Sequence, residues 1–155
     1  MIIVAPTGLG RYQVEARIGA SALLVDEPAT LGGLGSGPNP YDLMCAALGA
    51  CTTMTLKLYA ERKGWAITTL EVGVVHRRAD LHGPDIFERE IVIEGPLDAT
   101  QKTRLLEIAD RCPVHLTLER GSAITTTLVP SSAISRNEAG GTLEHMRDMA
   151  EATTG

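Results

Sequence analysis

Residues 39 to 64, NPYDLMCAALGACTTMTLKLYAERKG, spell out a helix with both of its ends, and no other feature restricts the fold more. Asn39 is placed as the N-cap, Pro40 takes the first helical position, where a missing N–H costs nothing, and Asp42 stands third after the cap in capping-box fashion. At the far end Glu61, Arg62 and Lys63 make a mostly basic last turn that suits the negative end of the helix dipole. Gly64 can adopt the left-handed conformation that stops it. Leu43, Ala47, Cys51, Met54 and Leu58 recur at helical spacing, while CAALGAC supplies small side chains that let another backbone approach closely. Such a helix is expected to be central and buried.

Short segments at 2–4, 11–18 and 21–26, separated by PTGLG and GAS, predict an antiparallel meander ahead of it. The stretch EPATLGGLGSGPNP is an irregular connection. Its clustered glycines do not make a phosphate cradle, because Pro38 and Pro40 lack the N–H donors a cradle needs. After the helix, Thr69 to Arg77 and Phe87 to Glu94 read as a hairpin across ADLHGPD. Asp98 and Gln101 form a second capping pair, opening a helix to Arg111 whose apolar stripe is Leu105, Ile108, Ala109 and Cys112. A last strand, Ala123 to Val129, completes an α+β order.

At 155 residues and 44% hydrophobic content the chain fits one domain. That domain is expected over residues 1–130. The remainder, 131–155, turns to Ser, Gly, Thr and charge, and reads as a tail with a short helix from Thr142 to Ala150 that adds little to the core. The 14 basic and 19 acidic residues carry no basic block, so neither nucleic acid nor a membrane surface is an expected partner. MIIVAPTGLGRYQ lacks a basic n-region and a long apolar run, which leads to the expectation of a cytoplasmic protein. Three cysteines, an odd number, argue against a disulfide framework and turn attention to redox chemistry.

In DRCPVH, residues 110 to 115, Cys112 is either the last apolar residue of one helix or, with Pro113 opening another, the residue just before it. In the second position its sulfur meets unpaired N–H groups and a positive dipole end, both of which favour the thiolate. Cys51 lies on the apolar face of the long helix, and Cys45, six residues earlier, on another side of it. Taken singly, each cysteine also fits a small buried hydrophobe. His115 gives CPVH the spacing of half a zinc site, with Cys51 as a third ligand, but no second CxxC or HxxxH accompanies it and no metal is expected. His76 and His82 fall on or near the hairpin and read as solvated.

GPNPYDLMCAALGACTTMTLKLYAERKGW together with LEIADRCPVH resembles the OsmC/Ohr family of thiol peroxidases, over residues 10 to 129. It is most similar to the branch also found attached to α/β-hydrolase domains. The resemblance implies an α+β, OsmC-like fold with antiparallel sheets around two cysteine-bearing helices, and an intertwined homodimer with two interface sites. It also implies reduction of organic hydroperoxides with an external dithiol as reductant and with no cofactor. Cys51 matches the peroxidatic cysteine and Cys112 the resolving one, so a Cys51 sulfenic acid would condense to a Cys51–Cys112 disulfide.

In that family an arginine from the first hairpin and a glutamate near the start of the long helix assist the reaction, and this sequence departs at both. Ten residues before Cys51 stands Tyr41, a substrate-binding position by this match, with the carboxylate one place later at Asp42. Asp42 is about 14 Å from Cys51 along the helix axis, so it would serve a site indirectly or across the dimer. The hairpin offers Arg11, displaced by a few residues, and Arg17 as a weaker candidate. The alternative function is a non-catalytic module that senses oxidants or binds a small apolar molecule in the interface pocket. Whether a cation reaches Cys51 separates the two.

Overall fold

The computed structural model describes residues 1–130 and 141–154, and its chain divides into two compact units, residues 1–44 with 124–130 and residues 45–123 with 141–154. The sequence reads residues 131–155 as a tail. Within that stretch residues 131–140 lie outside the described residues, and the helix that follows groups with the second unit.

In the first unit β1 (Ile3–Pro6), β2 (Val14–Ile18) and β3 (Ser21–Val25) form the expected meander, with Ile3 opposite Arg17 and Val14 opposite Val25. Residues 11–13 belong to the preceding turn rather than to the strand. The irregular connection is organised by one buried carboxylate. Asp26 accepts from the backbone N–H of Glu27 (2.9 Å), Leu34 (2.9 Å) and Ser36 (3.3 Å) and from Ser36 Oγ (2.9 Å). The glycines serve close approach: a Cβ on Gly33 would overlap the Glu27 carbonyl, and one on Gly37 the Leu24 carbonyl.

The long helix, α1 (Pro40–Lys63), starts and stops as its sequence indicates. Asn39 Oδ1 accepts from the N–H of Tyr41 (2.8 Å) and Asp42 (3.1 Å), and Asp42 Oδ2 accepts from Asn39 N–H (3.0 Å). At the other end Gly64 has φ +67°, with Gly64 N–H donating to Glu61 O and Trp65 N–H to Ala60 O. This is a Schellman stop, and the Trp65 ring packs edge-on to Tyr59 beside it. By length and composition α1 is apolar enough to cross a membrane, but the second unit's core is built on it.

The buried face of α1 is not quite the one its apolar residues outline. Leu48, Cys51, Thr52, Thr55, Leu56, Tyr59 and Ala60 are buried, whereas Ala47 and Met54 are exposed. Thr52 can join the core because its hydroxyl donates back to Leu48 O (2.8 Å), leaving its methyl to pack. Gly49 lies against Val72 and Val74 of β4 (Thr69–Arg77), which pairs antiparallel with β5 (Ile86–Glu94). The main core joins Leu56, Tyr59 and Ala60 to Leu105, Ile108 and Ala109 of α2 (Ala99–Ala109), with Ile91 and Ile93 packed against it. Asp98 and Gln101 close a full capping box.

The expected strand from Ala123 to Val129 is not formed among the described residues. Residues 121–130 carry no regular structure, and Ile124 and Leu128 are 88% and 99% exposed. Its β-branched residues fit a ladder, but no strand of either sheet pairs with them.

Candidate functional site

The second unit settles which helix owns Cys112. Helix α2 stops at Ala109, Pro113 takes the first position of α3 (Pro113–Arg120), and Cys112 is its N-cap in extended conformation. The sulfur accepts from His115 N–H at 3.3 Å, in the manner of a capping hydroxyl. Cys51 comes to the same place from α1 and accepts from Val114 N–H at 3.4 Å. Both cysteines are free and enclosed, 2% and 0% exposed, in a cluster with Leu48 that Val74, Phe87, Val114 and Leu118 close.

The two thiols lie in the same enclosed cluster, and each bears on the other's ionisation. Cys112 is pulled well below an ordinary thiol, first by the neighbouring Cys51, then by His115 N–H, the Thr52 hydroxyl and the charge of Arg89, against the opposing effect of burial. Cys51 is pushed up by the neighbouring Cys112 and by burial, against Val114 N–H. The first proton therefore leaves the pair more readily than from an ordinary thiol, and the second is held.

The cation beside this charge is Arg89 of β5. Its Nη1 donates to Thr52 Oγ1 (2.8 Å) and Ala109 O (3.1 Å), and its Nη2 to Asp110 Oδ1 (2.8 Å). Thr52 Oγ1 lies 3.6 Å from Cys112 Sγ, so the guanidinium acts on the pair through one hydroxyl. Sequence reasoning missed Arg89, although a signal was present. It falls in phase with Phe87, Ile91 and Ile93, a charge on the inward face of a strand, where an isolated one needs a reason.

A second missed residue is His145 of α4 (Gly141–Ala152), whose Nε2 stands 3.3 Å from Cys51 Sγ. The sequence assigned this segment little weight in the core. Its anchors are polar or isolated: Met149 and Thr153 are buried, and Arg62 Nη1 donates to Ala150 O (2.8 Å) and to Thr153 Oγ1. Spaced four apart, His145, Met149 and Thr153 form a stripe that an apolar search passes over.

The other proposed site residues have these surroundings. Arg11 stacks over the Tyr12 ring at 5.0 Å in the first unit, and Arg17 pairs with Glu15 (2.7 Å). Tyr41 and Asp42 form the first turn of α1, where Asp42 has its capping role. Cys45 is half-buried and outside the cluster of Cys51 and Cys112. His115 faces Glu119 at 3.8 Å, and among the described residues no three His, Cys, Asp or Glu side chains gather as a metal site. His82 is exposed as expected, but His76 is not solvated: it turns inward against Phe87 and bonds Asp85 Oδ1 at 2.8 Å. A cavity of about 230 Å³ lined by Lys57, Trp65 and Leu70 includes neither cysteine of the pair.

Residues 33–127 match the model of a family described as OsmC-like protein. No curated protein matches the chain. Among solved structures, an OsmC-like protein from Mycoplasma pneumoniae is 21% identical, covering 77% of this chain and 86% of its own at a TM-score of 0.67. An organic hydroperoxide resistance protein, OsmC, from Legionella pneumophila is 23% identical, covering 75% and 87% at 0.52. The organic hydroperoxide resistance protein OhrB of Bacillus subtilis is 21% identical, covering 75% and 88% at 0.53. At these identities the likeness is one of fold.

Proposed function

The chain belongs to the OsmC-like protein family, and from that premise we propose that it is a thiol peroxidase that reduces organic hydroperoxides through Cys51 and Cys112. The observation that carries this reading is the pair of free, enclosed cysteines in one cluster, each sulfur accepting a backbone N–H from the first turn of α3. In the reactive form Cys112 keeps its proton and the thiolate stands on Cys51. That thiolate attacks the distal peroxide oxygen, the O–O bond breaks, and the leaving alkoxide takes up a proton to become the alcohol. Cys51 is then a sulfenic acid. Cys112 displaces its hydroxyl as water, forming the disulfide, and an external dithiol returns two electrons and two protons.

In this reading Arg89 has the role that the resemblance gives to Arg11, since its charge already bears on the pair. Tyr41 and Asp42 belong to the reading only as residues of the first turn of α1, which Asp42 caps. The apolar cluster around the sulfurs favours bulky alkyl hydroperoxides over hydrogen peroxide. A cytoplasmic homodimer is part of the proposal. The exposed AITTTLV segment supports the dimer, because unpaired β-forming residues of this kind gain by meeting another chain's sheet edge.

The test is mass spectrometry after one equivalent of cumene hydroperoxide. A Cys51–Cys112 disulfide is expected, with cumyl alcohol released in equal amount; no disulfide and no alcohol would refute the peroxidase. The near-complete burial of both sulfurs favours an oxidant-sensing module as the second reading. Slow oxidation without turnover by dithiol would support it.

A further inference from the structure

We infer that His145 is a catalytic residue of this chain, donating a hydrogen bond to Cys51 and then a proton to the departing alkoxide. The inference rests on the peroxidase reading. It begins from a contact between reacting atoms, Nε2 of His145 at 3.3 Å from Cys51 Sγ, and from the gap that contact fills. Cys112 Sγ accepts His115 N–H at 3.3 Å and lies 3.6 Å from the Thr52 hydroxyl that Arg89 contacts, whereas the attacking sulfur, Cys51, accepts the more distant Val114 N–H at 3.4 Å. A donor from α4 joins Val114 N–H on Cys51. Of the other charged or titratable groups on the packed elements, Cys112 faces Cys51, His115 is engaged with Glu119, and Glu144 and Asp148 are exposed.

The position is built. His145 lies one turn before buried Met149 and two before buried Thr153, and Arg62 ties the end of α4 to α1. The residue also falls outside residues 33–127, so the family pattern does not supply it. The step balances as follows. The imidazolium of His145 bonds the Cys51 thiolate; the sulfur attacks the distal oxygen; the O–O electron pair goes to the alkoxide; and the Nε2 proton passes to that alkoxide. This leaves a sulfenic acid, a neutral imidazole and the alcohol, and the imidazole regains its proton from solvent. A cysteine activated by a neighbouring histidine is established thiol chemistry.

The experiment compares His145→Gln and His145→Ala with wild type in two assays. One is single turnover with cumene hydroperoxide; the other is Cys51 alkylation by iodoacetamide, which needs a thiolate but no proton for an alkoxide. His145→Gln keeps a donor and cannot release a proton. It is expected to lose about 100-fold in single turnover, the scale of general acid catalysis, while its alkylation changes only a few-fold. His145→Ala is expected to slow in both assays and to regain peroxide turnover with added imidazole. Wild-type turnover in both variants would overturn the inference and leave the peroxidase standing, as would a loss that imidazole fails to restore. If wild type reduces no peroxide the peroxidase reading itself fails. Alkylation at the wild-type rate in His145→Ala would then dispose of the Cys51–His145 pairing as well.

Discussion

Cys51 and Cys112 are 61 residues apart (112 − 51) and lie enclosed in one cluster, where the sulfurs accept from neighbouring backbone N–H groups of α3, those of Val114 and His115. Their roles separate by substitution. Cys51→Ser is expected to abolish even one turnover, because a hydroxyl is a far poorer nucleophile than a thiolate. Cys112→Ser should consume one equivalent of cumene hydroperoxide and stop, holding a sulfenic acid that dimedone traps and mass spectrometry locates at Cys51.

Arg89 favours the charged form of the pair, so its removal raises the pH at which the first proton leaves. In Arg89→Met the pH profile of alkylation is expected to move upward. Each unit of that movement lowers the thiolate fraction on the acidic side about tenfold. The same variant strips donors from Thr52 and Ala109 O and should cost about 1–3 kcal/mol in a urea titration. Arg11→Ala serves as the comparison: an equal or larger upward shift there would return the cation's role to the first hairpin.

Asp26 gives the first unit a pH signature. Burial alone would raise its pKa, but the bonds from Ser36 Oγ and from the N–H groups of Glu27, Ser36 and Leu34 prevail and hold it below the usual value. A depressed carboxyl contributes stability that is present above the unfolded-state pKa and is lost as pH falls through the folded one. Thermal melts across that acidic range should show the loss in wild type and a flatter profile in Asp26→Asn, whose melting temperature is lower at neutral pH.

Helix α4 is expected to contribute to stability rather than to hang as a dispensable end. Met149→Ala should cost about 2–5 kcal/mol, the usual range for emptying a buried methionine site. Met146→Ala, one turn earlier and exposed, should be near neutral. Equal urea midpoints for the two variants would show that the helix does not dock.

Sedimentation at micromolar concentration is expected to find a dimer and no folded monomer. Replacing Ile124 and Leu128 together by serine should weaken it. A monomer that still turns over peroxide would remove the shared-site picture.

The sequence by itself determined what rests on local interactions. The caps of α1 and α2, the Gly64 stop, the meander and the hairpin are legible because each is a bond or turn between residues a few positions apart. The resemblance pointed to Cys51 and Cys112 as a pair, but the position of Cys112 stayed open between the end of one helix and the cap of the next. Only packing decided that, and only packing turned the buried face of α1 toward Thr52 and Thr55, the Thr52 hydroxyl being acceptable inside because it bonds Leu48 O. Arg89 and His145 come to the thiols from a strand and a distant helix. Neither carries a local signature of a site, because a thiol's electrostatic environment is a sum over neighbours in space, most of them far away in the chain.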